Sequence, residues 1–443
     1  MNILVLGLGL NGGGRAAALY FAQNPLNTVR ISDIAKRDVF GDGVRELEEK
    51  GIQCIFEDVD PRENIRWADV VIKNPAIPQN QPYLSLAKVI SNDFAYLFRS
   101  EDIKNMKVIC VTGTKGKTTT VAAIHHALTK LGKKSIYCGN IGVSAFTVLE
   151  EIERRKRENE EMPEYVVCEL SSWQVHDTWI ALNGQMPSIE LAIFTSIYAD
   201  HQNSYNSVSS YVNDKLKLFG PHCKYILIEE HIKKFFGKNT HGLSKKTKLF
   251  PGHYNPYIKQ QRELCCAFRA LKLLGFHKKD IMKAISSYKG MPHRIENVAI
   301  SDNIMYVNDS AATISEAVTF SFSTLFPLSV HLICGGTDKE LKATGMQKAI
   351  KRATSVTLLD GSFTRKKLLP LLKKNNISYF GPFKNMEEAF YTAKSCAEKK
   401  RDESGKMQVV LLSPGAASFE HFKNEFDRGD QFKELVKSSL NQD

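Results

Sequence analysis

No two cysteines in this 443-residue chain stand at C-x-x-C spacing, and its nine cysteines form no regular framework. That excludes dithiol redox motifs, paired-cysteine zinc sites and a disulfide scaffold. Cys110, Cys168 and Cys334 lie in apolar, strand-like runs, as buried free thiols of a reducing compartment do. No apolar run is long enough to span a membrane, and no basic segment precedes the apolar N-terminus. Neither a transmembrane helix nor a signal peptide is expected, and a cytoplasmic location is. Nor is any basic run interleaved with aromatics or set on a recognisable nucleic-acid module. Runs such as Arg154-Arg155-Lys156-Arg157 and Lys399-Lys400-Arg401 are scattered, so the net charge of +12 reads as solvated faces. No nucleic-acid or membrane partner is expected; a positive field favours small acidic substrates. Internal repeats and low-complexity linkers are also missing.

What is present is an ordinary globular composition, 43% hydrophobic and 24% charged. At about 150 residues per domain, the length suggests three domains. Short apolar runs alternate with helical patterns, which predicts parallel sheets covered by helices. Strands are expected at 2–6, 29–32, 54–57 and 69–72, then at 107–111, 135–138, 165–168, 191–195 and 225–228. Residues 150–164 read as an exposed helix and turn, and 256–290 as helical with breaks at the "GF" and "KG" pairs. Residues 297–309 read as a hairpin turning at Ser301-Asp302-Asn303. Further strands are expected at 329–334, 355–359, 377–380 and 408–412. The expected fold is α/β in three domains. These are a Rossmann-like domain over 1–98, a central P-loop domain with a mostly parallel sheet over 99–294, and a Rossmann-like α/β domain over 295–443.

Two glycine-rich stretches compete. Gly7, Gly9 and Gly12 spell G-x-G-x-x-G after an apolar run, with Asp33 closing the next run. Alone, that is the fingerprint of a nicotinamide oxidoreductase. Residues 112–119, T-G-T-K-G-K-T-T, lie between a strand and a helix and point to ATP. There Gly113, Thr114, Lys115, Gly116, Lys117, Thr118 and Thr119 would cradle a polyphosphate on backbone amides and a helix N-terminus. Lys117 would reach the β/γ-phosphates and Thr118 would ligate Mg²⁺. Glu169, closing a neighbouring strand before Leu170-Ser171-Ser172, stands where a metal ligand belongs. Asp200-His201 follows another strand. Lys215 lies in a lysine-rich helix and by pattern alone reads as surface. Pro292-His293-Arg294, Asn308-Asp309-Ser310, 335–339 and 413–418 follow junctions or strands, the last three on one sheet edge.

These motifs in this order resemble the Mur ligases of peptidoglycan synthesis and, more distantly, the folylpolyglutamate synthases. The resemblance covers essentially the whole chain; the first domain and the stretches "PHRIE…NDS" and "LLSPGAASFEHFKNEFDRG" look most like the members that add D-glutamate. It implies a first domain that binds the UDP of a nucleotide sugar rather than NAD. The count agrees, because about four strands precede residue 112 and a dinucleotide fold usually needs six. The resemblance implies an ATP-dependent carboxylate–amine ligase, a monomer, acting on UDP-N-acetylmuramoyl-L-alanine and D-glutamate through an acyl phosphate. It implies two Mg²⁺ ions, one on Thr118 and Glu169, the other on His201 and a carbamylated Lys215. Leu10, Asn11 and Gly12 would face the diphosphate, Asp33 and Lys36 the uridine side. Asn140 would touch the γ-phosphate or substrate, Ser171 the substrate, and Arg294 and Asp309 ATP. Thr313, Lys339 and Ser418 would bind D-glutamate. Ala311 stands where the D-glutamate ligases usually carry lysine. The alternatives are a ligase of the same superfamily adding a different amino acid or glutamate to a folate, the oxidoreductase, and a non-catalytic nucleotide-binding module.

Overall fold

The computed structural model describes residues 1–9, 12–40, 43–114, 116–139, 143–197, 208–235, 247–250, 262–338 and 342–440. Contacts divide the chain into two compact units, Met1–Tyr288 and Lys289–Asp443.

The first unit holds two sheets. In the first, β1 (Asn2–Leu6), β2 (Thr28–Ser32), β3 (Gln53–Ile55), β4 (Val70–Lys73) and β5 (Ile90–Ser91) run parallel in the order β3-β2-β1-β4-β5. β1 is apolar on both faces because helices cover both. Ile3 and Val5 pack with Ala17, Ala18 and Phe21, while Leu4 and Leu6 pack with Ile65, Val71 and Leu84. The sheet has five strands where sequence pattern showed four: β5 is two residues long, too short for any period to show.

The second sheet comprises β6 (Lys107–Thr112), β7 (Ser135–Cys138), β8 (Tyr165–Glu169), β9 (Ile189–Phe194), β10 (Cys223–Glu229) and β11 (Thr247–Phe250). It is parallel throughout, in the order β11-β10-β9-β6-β8-β7. β6 again alternates: Val108 and Cys110 face one core, Ile109 and Val111 the other. β11 was not expected. The helix expected from residue 150 begins at Ala145, where the Ser144 side chain caps it, and ends at Arg157. In this sheet Cys110 pairs in register with Cys168, and Cys168 with Cys138, so three thiols stand abreast on β6, β8 and β7. The sulfurs of Cys138 and Cys168 are 3.7 Å apart, and all nine cysteines are free.

The second unit holds β12 (Glu296–Ser301), β13 (Ile304–Asn308), β14 (Ser329–Cys334), β15 (Ser355–Leu359), β16 (Phe380–Phe383) and β17 (Gln408–Leu412), ordered β12-β13-β17-β14-β15-β16. Only the β12–β13 hairpin is antiparallel; it turns at Asp302 and Asn303, both left-handed, as a two-residue hairpin turn requires. The strand expected at 377–380 lies instead at Phe380–Phe383. Its Gly381-Pro382 pair reads as a breaker in sequence but is tolerated on an edge strand. Among the described residues, no helix is long and apolar enough to cross a membrane.

Candidate functional site

β6 runs straight into the phosphate-type loop. Gly113 has φ +149°, and a Cβ there would lie 2.1 Å from Thr195 Oγ1 and 2.9 Å from the Ser196 amide. Only glycine lets the turn approach the end of β9 so closely. Thr114 N donates to Ser196 O at 2.8 Å, fixing that approach. Gly116, left-handed, caps the Lys117–Lys130 helix with no side-chain acceptor. The first-turn amides therefore remain available to an anion. Lys117 folds back over the loop and donates to Gly113 O at 3.0 Å and Thr114 O at 3.2 Å. Thr118 and Thr119 stand half-buried in the first turn, and Lys115 lies outside the described residues.

β8 pairs directly with β6, with Glu169 opposite Val111, so Glu169 leaves the sheet beside the loop. Thr112 Oγ1 donates to Leu170 O at 2.9 Å and locks the two strand ends together. Glu169 is 3% exposed, and no hydrogen bond or ion pair reaches its carboxylate among the described residues. Gly139 packs against it: a Cβ on Gly139 would lie 2.4 Å from Glu169 Cβ. Ser171 caps the Ser172–Ala181 helix in a reciprocal box with Gln174. Asn140 and His201 lie outside the described residues. No cluster of three or more His, Cys, Asp or Glu suited to a metal occurs among the described residues.

Lys215 and Lys217 separate sharply on the Val208–Leu216 helix and the turn after it. Lys215 is 1% exposed; its ammonium donates to Gly113 O at 3.1 Å and sits 4.5 Å from the centre of the Tyr211 ring. Tyr211 in turn meets Thr114 Oγ1 at 3.0 Å. Lys217 points elsewhere, to Asp214 at 2.8 Å and His176 at 2.6 Å. Burial works against the Asp214 carboxylate, but hydrogen bonds from His176 and Lys217 hold its pKa below the ordinary range.

The first glycine turn is built from within. Gly7 is left-handed, and a Cβ there would meet Asn74 Cβ at 2.8 Å. Asn74 Nδ2 donates to Gly7 O at 3.2 Å. Asp33 Oδ2 accepts from Leu8 N at 2.7 Å and Gly9 N at 3.4 Å, and its Oδ1 from Ala35 N at 2.8 Å. Asp33 thus occupies two amides of the turn. Gly12 caps the Gly13–Ala22 helix with no side-chain acceptor, leaving that end open to an anion. Lys36 is exposed, and Leu10 and Asn11 lie outside the described residues.

In the second unit the three C-terminal motifs meet at the ends of β13, β14 and β17. Asp309 N donates to Leu412 O at 2.8 Å, Gly335 N to Pro414 O at 2.8 Å, and Gly415 N to Ala312 O at 2.7 Å. Thr337 and Ala417 form a bridge between two of the loops. The Asp309 carboxylate accepts from Ser321 Oγ at 2.5 Å, Ser413 Oγ at 2.8 Å and Ile295 N at 3.2 Å. Burial pushes its pKa up to about 6, against those hydrogen bonds and the Arg294 charge. Ser418 Oγ is buried with no partner among the described residues. Thr313 is half-buried nearby in sequence, and Lys339 lies outside the described residues.

The model of the Mur ligase middle domain matches residues 111–301 of this chain. The UDP-N-acetylmuramoylalanine--D-glutamate ligase of Borreliella afzelii is 31% identical, with 98% of this chain and 97% of that protein aligned. The protein of the same name from Borreliella burgdorferi is 32% identical, covering 99% and 98%. The chain belongs to the Mur ligase family. Mur ligases form amide bonds at the expense of ATP, and that sets the oxidoreductase alternative aside. The fold agrees. The UDP-N-acetylmuramate-alanine ligase of Thermotoga maritima matches with a TM-score of 0.59 at 19% identity, over 99% of this chain and 100% of that one. The MurF ligase of Thermotoga maritima, in complex with ADP, matches with 0.53 at 14% identity, over 93% and 96%.

This Mur ligase also has structural residues that sequence pattern passed over. Arg428 is fully buried. Its guanidinium donates to Ser310 Oγ and Ser310 O at 2.9 Å each, and to Ala416 O and Ala417 O at 3.2 and 3.1 Å. It therefore ties the 308–310 motif to the 413–418 motif, and burial pulls its pKa down to about 9. Its sequence neighbours are charged, so it reads as surface. Helical spacing was the available signal, since Phe432 and Val436, four and eight residues on, are both fully buried.

Proposed function

We propose that this Mur ligase joins D-glutamate to UDP-N-acetylmuramoyl-L-alanine, with ATP converted to ADP and phosphate, in the cytoplasmic synthesis of peptidoglycan precursors. The similarity to the Borreliella ligases over nearly the full length of both chains carries the choice of substrates. Glu169 supports the chemistry. A buried carboxylate with no partner among the described residues, beside a glycine-rich turn and a helix N-terminus, suits a hard divalent cation.

The substrate carboxylate attacks the γ-phosphorus of ATP, and ADP leaves. The amine of D-glutamate then attacks the acyl phosphate, and phosphate leaves through a tetrahedral intermediate. Such phosphoryl transfer depends on positioning and charge neutralisation. Lys117 and the first-turn amides of its helix supply both, with Gly113, Thr114, Lys115, Gly116, Thr118 and Thr119 shaping the cradle. Thr118 and Glu169 would hold one Mg²⁺, and His201 with a carbamylated Lys215 a second; such cations would supply charge neutralisation for the phosphate and carboxylate oxygens. Leu10, Asn11 and Gly12 take the diphosphate of the nucleotide sugar, and Asp33 and Lys36 lie on its uridine side. Asn140 and Ser171 serve the substrate. Ser418 supports the placing of the amino acid, because its buried hydroxyl has no partner among the described residues. Thr313 and Lys339 complete that set. The chain works as a monomer.

The test is ADP release by the purified chain. It should require both UDP-N-acetylmuramoyl-L-alanine and an amino acid, with D-glutamate preferred over a panel of others. Release with another amino acid and not with D-glutamate would move the chain to a different branch of the family.

A further inference from the structure

Between the two sheets of the first unit lies a buried polar seam that takes no part in the steps above. Lys73 closes β4 beside Leu6 of β1, one residue from the start of the glycine turn. It is only 2% exposed. Its ammonium donates to Ile77 O at 2.6 Å and Asn74 O at 3.2 Å, and meets Asp177 Oδ2 at 2.7 Å. Asn74 is the residue that packs under Gly7 and Gly9. Lys73 thus fastens the 74–77 loop that closes the glycine turn. Asp177, also buried, lies on the Ser172–Ala181 helix, whose capping Ser171 follows Glu169 by two residues. Gln79 donates to the other Asp177 oxygen. One residue further along the helix, Thr178 Oγ1 meets Asn92 Nδ2 at 2.9 Å. Asn92 caps the Asp93–Arg99 helix. The adjacent Asp93 carboxylate accepts from Phe94 N at 2.9 Å.

Through Lys73 and Asp177 the seam joins the glycine turn to the helix that follows Glu169. A buried ion pair is a poor device for stability alone. The desolvation of two charges offsets their attraction, and an apolar pair of similar volume usually serves as well. What such a pair does supply is a fixed geometry.

We infer that Lys73 and Asp177 are a positioning pair, fixing the glycine turn relative to the helix that follows Glu169 and so aligning the carboxylate of the bound nucleotide sugar with the phosphate loop. The inference rests on the reading of the reaction given above.

The test replaces both charges by apolar groups, Lys73→Met with Asp177→Leu, and measures melting temperature, the calorimetric affinity for UDP and steady-state kinetics. The expected enzyme melts at or above the wild-type temperature and keeps its KM for ATP within about twofold, while kcat falls about tenfold or more and the nucleotide-sugar KM rises. Lys73→Arg, which keeps donors for both loop carbonyls, should recover most of kcat. A folded double variant with wild-type kcat and nucleotide-sugar KM overturns the inference, and so does an equal rise in both KM values. Should the double variant fail to fold, Asp177→Asn is judged by the same criteria. A wild-type chain that binds UDP but releases no ADP would instead overturn the proposed reaction. The pair would then be read from UDP affinity alone, and unchanged affinity in the variants would refute it.

Discussion

The ammonium of Lys215 donates to the carbonyl oxygen of Gly113 at 3.1 Å, so a buried lysine from the Val208–Leu216 helix ends on the glycine turn that follows β6. Lys217, two residues on, ends instead on Asp214 and His176. A free ammonium at Lys215 would repel a divalent cation. A carbamate at Lys215 would carry one negative charge in place of one positive and would offer the oxygen ligands that Mg²⁺ takes. Lys215→Ala should lower ligation about 100-fold or more while UDP binding survives. Activity of the wild type should fall when CO₂ is removed at mildly acidic pH and return with bicarbonate. Lys217→Ala should stay active. Paired rate measurements on the two variants decide, and the reverse pattern would assign the carbamate to Lys217.

Gly113 admits no side chain. A Cβ at this left-handed position would overlap Thr195 Oγ1 and press on the Ser196 backbone. Gly113→Ala should destabilise the chain by about 2–4 kcal/mol, summing backbone strain and overpacking. ATP affinity should fall with it, while the affinity of the first domain for UDP holds. A melting curve and two calorimetric titrations check all three.

Asp309 gives a prediction with a pH sign. Its folded pKa of about 6 lies above the unfolded value, because burial disfavours the charge. Below pH 4 the group is neutral in both states and costs nothing. Between pH 4 and 6 the unfolded chain sheds the proton first, so stability is lost as pH rises, and the loss is complete above pH 6. Two pKa units correspond to about 3 kcal/mol. Asp309→Asn removes the charge, and the serine hydroxyls can turn to accept from the amide. It should raise the melting temperature at pH 8 and raise it much less at pH 4.5. Equal shifts at both pH values would show that the carboxylate is not strained by burial.

Arg428 should tolerate no replacement well. Arg428→Met leaves the carbonyls of Ser310, Ala416 and Ala417 buried without that donor, at a cost of about 3–5 kcal/mol. Arg428→Lys should recover only part of this, because one ammonium cannot span four acceptors held by a planar fork. Urea melts of both variants give the comparison, and the KM for D-glutamate should rise more than that for ATP.

The sequence made the parallel sheets and the phosphate loop plain, because both are local. A strand apolar on both faces, a glycine-lysine-threonine turn and a following helix are contiguous in the chain. β5 was not legible because two residues carry no period, and β16 was misplaced because Gly381-Pro382 resembles a break. The missed side chains share another cause. Lys73, Asp177 and Arg428 are charged residues, a type that sequence pattern places on the surface, and each has a partner about 100 residues away or more in the chain that only the fold brings near. Asp33 shows the converse. Its position beyond the second strand was visible, but its bonds to the Leu8 and Gly9 amides needed the folded turn.

The row of thiols across β6, β8 and β7 turns the central sheet into its own chemical clock. Cys110, Cys168 and Cys138 are wholly buried. The Cys138 thiol is held protonated by its hydrogen bond to Cys168 and by burial, and the Cys168 thiol chiefly by burial. Cys54 and Cys396, only half-buried, will take up iodoacetamide first. Alkylation of the row must await an opening of the very strands that end in the phosphate loop and Glu169, so its rate counts those openings. A nucleotide that binds only the closed sheet slows this rate by the factor by which it stabilises that state. Mass spectrometry of the alkylated peptides would therefore read nucleotide occupancy from the unlabelled protein.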